Sequence, residues 1–326
     1  MSEAERIEEA GMEEAGIEEA RSEDTRMEEA GMVVDGRVTS KTRVFGVVGK
    51  PIGHSLSPQI HNTFARELGM ERQFVYAAFE PDQDAVRDAF RGLFASGVGG
   101  VNVTMPYKGE AFAFADIRHR EAESLTAANT LVRREDGVHA YNTDSGGFTR
   151  SFELQASRTL AGLRVLVLGA GASCRTLAHA AAGMGARRVA IASRSLERAR
   201  SVAGWCAEAF PECEFAYVSY GNGGIYEAIA QSDVAINTTP VGMQAGADCG
   251  TPGGVAYRFK SWQCAVDLIY RPAETAFLQS ARECGAMAIN GLGMLVCQGA
   301  LAFELFTGVR VPDALAEGLL ASLRMM

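Results

Sequence analysis

The sequence predicts an α/β protein of two domains, one of them a doubly wound, Rossmann-like sheet. Three observations carry this. The stretch from Leu163 to Arg175 runs as a leucine-rich and β-branched strand, a Gly169-Ala170-Gly171 turn and an alanine-rich segment with helical spacing. That order is what a dinucleotide fold needs. The first glycine makes the turn, the second lets a pyrophosphate approach the backbone, and the helix N-terminus faces the anion. The segment from residue 42 to 149 alternates apolar strands with helical spacing, and its strands run directly into helix starts. The chain has 326 residues, 47% of them hydrophobic, which is enough for two cores of ordinary size.

Composition narrows the function classes. The net charge of −9 is unevenly placed: residues 1–30 hold 12 acids and 3 bases, and in the rest 28 bases meet 28 acids. A neutral body argues against a nucleic-acid binder, which would show a basic face. The seven cysteines (Cys174, Cys206, Cys213, Cys249, Cys264, Cys284 and Cys297) are scattered and form no C-x-x-C pair. Zinc and a disulfide framework are therefore not expected, no metal site is predicted, and a reducing cytoplasm is the natural compartment. The richest apolar run, Gly285 to Phe306, is interrupted by Asn290, Gln298 and Glu304, so it is expected to be buried in a protein without membrane spans.

Residues 1–40 form an acidic tail with a five-residue repeat, Glu-Glu-Ala-Gly-Met and its variants. It offers no apolar face to bury and is expected to be disordered. It has neither the pattern of a secretory signal nor that of a transit peptide. An interaction tail, or a true start at Met27 or Met32, are the other readings.

Val44–Val48 is expected as a strand that leads through Gly49–Leu56 to a helix, with Ser57 as N-cap, Pro58 at the first helical position and Gly69 as the stop. Ser55 lies two residues earlier in the same loop, and two hydroxyls beside a helix start can seat a carboxylate. Strands follow at 73–79 and 98–104, with a helix at 82–95 between them. The second strand enters Thr104-Met105-Pro106-Tyr107-Lys108, where Pro106 suits the first helical position. Lys108 then falls in the first turn, where the helix dipole disfavours a cation, and this marks it as an acid/base candidate. A hairpin over 128–141 turns at Glu135-Asp136-Gly137. Asn142-Thr143-Asp144 opens the next helix, with Asp144 either a cap or a functional carboxylate and Asn129 either a core amide or a ligand. These residues sit near strand ends, and in an open α/β sheet ligands gather at the carboxyl edge.

After the glycine turn, Arg188–Ser193 is the second strand of the Rossmann-like unit. Where an acid would meet an unphosphorylated ribose, the chain has Ser193-Arg194-Ser195-Leu196-Glu197-Arg198. Arg194 and Arg198, four apart and expected on one helix face, favour a 2′-phosphate and hence NADP. Strands at 234–237 and 264–268 and a helix at 275–284 complete the unit. Asn290–Met294 is expected as a loop, Leu295–Phe306 as an apolar helix broken by Gln298, and Pro312 as the opening of a last helix.

Several segments now point to one family: GKPIGHSLSPQIHN at 49–62, VNVTMPYK at 101–108, ANTL at 128–131, NTD at 142–144, SRSLER at 193–198, NTTPVGM at 237–243 and GLGMLVCQ at 291–298. In order and spacing, residues 44–326 resemble shikimate dehydrogenase. The resemblance implies reversible NADPH-dependent reduction of 3-dehydroshikimate to shikimate, a step toward the aromatic amino acids. It implies a substrate domain (41–149 with 286–326) and an NADP-binding Rossmann domain (150–285), with a cleft between them. Ser55 and Ser57 would hold the substrate carboxylate, with Tyr270 nearby. Thr104, Asn129, Asp144 and Gln298 would hold ring hydroxyls, and Lys108 with Asp144 would form the catalytic pair. NADP would lie against Gly169, Ala170, Gly171, Ala172 and Ser173, with Ser193, Arg194 and Arg198 toward the adenosine. Thr238, Met243, Gly291 and Met294 would complete its site. The departures are Cys174 at the third small position of the fingerprint, Ala172 for a glycine, Ser145 for the glycine after Asn-Thr-Asp, and Ser193 for an asparagine. A quinate/shikimate dehydrogenase of broader range and a non-catalytic ligand-binding protein stay open, and the chain is expected as a monomer or homodimer.

Overall fold

A computed structural model describes residues 38–221, 223–243 and 250–325. Residues 1–37 of the acidic segment, and Cys249, lie outside the described residues. The first run of elements is β1 (Arg43–Val48), α1 (Ser57–Glu67), β2 (Phe74–Phe79), α2 (Val86–Ala95), β3 (Gly100–Val103), α3 (Lys108–Phe114), β4 (Ile117–Arg118), α4 (Arg120–Leu125), β5 (Thr130–Arg134), β6 (Gly137–Tyr141) and α5 (Asp144–Ala156). The second is β7 (Arg164–Leu168), α6 (Ala172–Gly183), β8 (Arg188–Ser193), α7 (Leu196–Ala209), β9 (Glu214–Ser219), α8 (Gly224–Gln231), β10 (Val234–Asn237), β11 (Cys264–Asp267), α9 (Ala276–Glu283) and β12 (Met287–Ile289). Two helices close the chain, α10 (Leu292–Thr307) and α11 (Asp313–Arg324).

The second sheet has the order β12-β11-β10-β7-β8-β9, and every pairing in it is parallel. This is the doubly wound order, and it places the crevice beside the end of β7, where the winding reverses. Strand β7 is buried on both faces: Val165 and Val167 pack into one core, Leu166 and Leu168 into the other. The first sheet is mixed, in the order β2-β1-β3-β5-β6-β4. Its β5 runs antiparallel to both β3 and β6. That reversal brings the start of β5 to the same edge as the ends of β1, β3 and β6.

Helix faces follow from residue spacing. Val86, Phe90 and Phe94, four apart, are the buried stripe of α2. Val296, Ala300, Phe303 and Phe306 carry α10 back onto the first sheet, where they meet Phe45, Phe64 and Phe74. Each buried phenylalanine contributes roughly 1.5–3 kcal/mol.

The local expectations need four corrections. Ser57 does not cap α1: Leu56 holds the cap position, and the Ser57 N–H donates to Ser55 Oγ at 3.2 Å in a tight serine turn. Pro106 is not the first helical residue, because Thr104–Tyr107 closes a turn of its own, with Tyr107 N–H donating to Thr104 O at 2.9 Å, before α3 begins at Lys108. Leu292–Met294 is helix rather than loop: Gly291 holds the cap position, and Asn290 Oδ1 accepts from the Leu292 N–H at 3.2 Å, so α10 starts three residues early. Arg194 precedes α7, whose cap is Ser195, so it shares no helix face with Arg198.

Candidate active site

The ends of β1, β3 and β6, the start of β5 and the ends of β11 and β12 converge on one cavity of about 340 Å3. From the first sheet it receives Ser55, Ser57, Thr104, Lys108, Asn129 and Asp144. From the second it receives Leu268 and Tyr270, and from α10 and its cap Gly291, Met294 and Gln298. All eight predicted catalytic and substrate residues thus line one space, together with two residues predicted for the cofactor, Gly291 and Met294.

Lys108 and Asp144 form its polar centre. The Lys108 Nζ donates to Asp144 Oδ2 at 2.5 Å, with the side chains 30% and 16% exposed. The other carboxylate oxygen accepts from Asn129 Nδ2 at 2.9 Å. Asp144 therefore does not cap α5 (the cap residue is Thr143), and its backbone N–H is taken instead by Asn142 Oδ1 at 3.1 Å. Lys108 is fixed at its backbone, because its carbonyl accepts from Ala128 N–H at the approach to β5.

Gln298 reaches the centre because α5 and α10 touch: a Cβ on Gly147 would meet the Gln298 backbone at 2.7 Å. Its side-chain Oε1 lies 3.5 Å from the Thr143 hydroxyl. Tyr270 is half-buried, and burial raises its phenol above the ordinary value, so it remains a neutral donor. Gly291 is held by a close approach, since a Cβ there would fall 2.0 Å from Leu268 O.

The remaining cofactor candidates lie along the carboxyl edge of the second sheet, outside the cavity. Gly169 has φ +119°, and a Cβ on it would lie 2.6 Å from Thr238 Oγ1, which itself donates to Leu168 O. A Cβ on Gly171, the cap of α6, would meet nothing within 4 Å, so its backbone borders open space. Ala172 and Ser173 start α6, and Cys174 turns into the core, where burial pushes its thiol up to about 12. Ser193 Oγ accepts from Ser195 N–H, which holds the turn after β8. Arg194 and Arg198 are exposed, and neither is in an ion pair among the described residues. Met243 is half exposed after β10. A free helix N-terminus, a glycine turn that tolerates no side chain at Gly169 and two unpaired guanidiniums past β8 suit a dinucleotide with a 2′-phosphate.

Asn102, Thr130, Thr143, Tyr76 and His54 were not among the sequence candidates. His54 and Asn102 line the cavity, and the other three stand behind it or beside it. The signal was present, because Asn102 and Thr130 lie inside the VNVT and ANTL segments, but only strand register pairs them.

Comparison with known proteins places this geometry in a family. The family model for the shikimate dehydrogenase substrate binding domain matches residues 47–131, that for shikimate / quinate 5-dehydrogenase matches 153–241, and that for the shikimate 5′-dehydrogenase C-terminal domain matches 291–319. The chain is 37% identical over 287 residues to the shikimate dehydrogenase (NADP(+)) of Geobacter sulfurreducens, covering 88% of this chain and 99% of that one. Among solved structures it is similar to shikimate 5-dehydrogenase from Listeria monocytogenes in complex with shikimate and NAD, with TM-score 0.79, 29% identity and coverage of 87% and 98%. It is also similar to the enzyme from Thermus thermophilus in complex with NADP(H) and shikimate, with TM-score 0.75, 31% identity and coverage of 86% and 99%. The chain belongs to the shikimate dehydrogenase family.

Proposed function

We propose that this chain interconverts 3-dehydroshikimate and shikimate with NADP as cofactor, and that residues 41–149 with 286–326 bind the substrate while 150–285 bind the cofactor. The observation that carries the reading is the Lys108–Asp144 pair, set in one cavity with Ser55, Ser57 and Tyr270. NADP, when bound, supplies or takes up the hydride. The chain's own residues handle the proton and the geometry. Lys108, as an ammonium, gives its proton to the carbonyl oxygen that becomes a hydroxyl, and as an amine it takes that proton back in the oxidation. Asp144 holds the Lys108 Nζ in place and accepts from the neighbouring ring hydroxyl. Ser55, Ser57 and the Tyr270 phenol donate to the substrate carboxylate, while Thr104, Asn129 and Gln298 fix the ring hydroxyls. Positioned acid/base help of this kind is worth about 10²–10⁴-fold in rate.

For the cofactor, Gly169, Ala170, Gly171, Ala172 and Ser173 face the phosphates, and Ser193, Arg194 and Arg198 the adenosine. Thr238, Met243, Gly291 and Met294 complete the nicotinamide side. The natural setting is the cytoplasm, where Cys174, Cys206, Cys264 and Cys297 stay buried as free thiols, in a monomer or homodimer that binds no nucleic acid or membrane. No helix among the described residues is long and apolar enough to cross a membrane.

Initial rates of oxidation for shikimate and quinate, each with NADP⁺ and NAD⁺, test the reading. The expected result is a rate with shikimate and NADP⁺ that exceeds the other three. Comparable rates with quinate or NAD⁺ move the chain to the broader-range enzymes, and no rate with any pair overturns catalysis.

A further inference from the structure

The Asn129 amide must face one way for the Lys108–Asp144 pair to keep its shape. Its Nδ2 donates to Asp144 Oδ1 at 2.9 Å. Turned over, the amide would set a carbonyl oxygen against a carboxylate oxygen. Asn129 Oδ1 accepts from the Thr143 backbone N–H at 2.8 Å and from the Thr130 hydroxyl at 2.9 Å, with the Thr143 hydroxyl a longer neighbour of the same amide, 3.3 Å from Oδ1 and 3.0 Å from Nδ2. A hydroxyl carries one proton, and it turns toward whichever acceptor its other neighbours leave free. The Thr130 oxygen already accepts from Asn102 Nδ2 at 2.9 Å, so its own proton goes to Asn129. Asn102 is oriented in turn by the Tyr76 hydroxyl, which donates to its Oδ1 at 2.7 Å. Tyr76 stacks on His61 with ring centroids 4.0 Å apart. Tyr76, Asn102, Thr130 and Asn129 are all buried, which strengthens the bonds among them.

Strand structure does not require this hydroxyl. Valine has the shape of threonine and suits a buried strand at least as well. Nor does Thr130 line the cavity. We infer that Thr130 is a positioning residue for the reaction proposed above: its hydroxyl, aimed by Asn102 and Tyr76, turns the Asn129 amide toward Asp144 and so sets the Lys108–Asp144 pair. The inference rests on that proposed reaction.

The test compares Thr130→Val with Thr130→Ser in the full chain. It reads kcat, KM for shikimate and the pH profile of kcat with NADP⁺, beside thermal unfolding. Thr130→Val is expected to lose about tenfold in kcat, the size of one buried hydrogen bond. Its pH profile departs from that of the wild type, a change that a loss of packing alone would not produce. Thr130→Ser keeps the hydroxyl and stays within about twofold. Tyr76→Phe, one bond further back, is expected to fall about two- to threefold, with its pH profile changed the same way. Wild-type kcat and pH profile in Thr130→Val overturn the inference, and so does a Thr130→Ser as slow as the valine variant. If Thr130→Val does not fold, Tyr76→Phe decides, and an unchanged kcat and profile there overturn it. A wild type that fails to oxidise shikimate overturns the reaction and this inference together, whereas an active wild type with an indifferent Thr130→Val sinks only the positioning role.

Discussion

On the first sheet, the polar side chains of the site are bonded to one another: Lys108 to Asp144, Asp144 to Asn129, Asn129 to Thr130, and Thr130 to Asn102. On the second sheet, the cofactor edge is backbone and open space. Gly169 and Gly171 offer a turn with no side chain at either glycine, and Arg194 and Arg198 stand exposed with no carboxylate partner among the described residues. The contrast fits what each half is proposed to hold. A small substrate with several hydroxyls needs donors and acceptors at fixed points, and Lys108, Asp144 and Asn129 brace one another before any ligand arrives. A pyrophosphate needs bare N–H groups and room for the chain to come close, and exposed guanidiniums can close on a phosphate without prior bracing. Side-chain chemistry therefore concentrates on one sheet and backbone shape on the other.

Removing the centre of the braced half gives the largest expected effect. Lys108→Ala should lower turnover by about 10²–10⁴-fold, because it removes the group proposed to pass the proton to and from the reacting oxygen. Its side chain is 30% exposed and packs in no core, so the unfolding midpoint should stay near that of the wild type. Steady-state rates with shikimate and NADP⁺, measured beside a thermal melt, check both statements. Near-normal turnover would remove Lys108 from the chemistry.

The braced half was also the more legible in sequence, up to a point. Ser55, Lys108, Asn129 and Asp144 lie where strands meet helices, and local signals find such positions. The bond from Asn102 to Thr130 was not legible, because it depends on the register of β3 against β5, a pairing between residues 28 apart. The roles of Ser57 and Asp144 as caps failed for a local reason: the turns before α1 and α5 are closed by Ser55 Oγ and Asn142 Oδ1, two residues earlier in each case, and a run of polar residues does not say which of them closes the turn. In the second half the strand–turn–helix at β7 was legible from composition alone. What escaped was the close approach of Gly291 to Leu268, since the two are brought together only when β11 and β12 pair. Arg194 and Arg198 were legible as charges but not as geometry, because the boundary at Ser195 decides which of them is helical.

His61 sharpens the contrast through pH. It is fully buried in α1 against Tyr76, and neither ring nitrogen has a hydrogen-bond partner among the described residues. Burial pulls its pKa down to about 3, against a smaller opposing pull from the Asn102 side chain, which completes no hydrogen bond to the ring. Below pH 6.5 the unfolded chain takes up a proton that the folded chain refuses, so stability falls as pH falls toward 3. The slope from this group approaches about 1.4 kcal/mol per pH unit. The second half supplies the opposite sign, because burial raises the Asp267 carboxyl against the pull of Asn237 and Thr275. Its folded form keeps a proton longer than the unfolded one, so its contribution is lost as pH rises through the carboxylate range. Urea unfolding between pH 4.5 and 7 in the wild type and in His61→Phe separates the two. The wild type should lose stability more steeply on acidification, by up to about 2–3 kcal/mol at pH 4.5. Parallel curves would mean that His61 takes its proton in the fold.

The smallest expected effect lies in the unbraced half. Arg194→Ala and Arg198→Ala each remove an exposed guanidinium that is in no ion pair among the described residues, so stability should stay within about 0.5 kcal/mol of the wild type. A charge-assisted bond to a 2′-phosphate is worth about 1.5 kcal/mol, and KM for NADP⁺ should therefore rise about tenfold in either variant. NAD⁺ has no group at that position, and its KM should hardly move. Steady-state kinetics with both cofactors read the difference directly. A rise shared equally by NADP⁺ and NAD⁺ would mean that the arginines hold the adenosine or the pyrophosphate instead, and the second sheet would then owe its choice of cofactor to something other than two free charges at the end of β8.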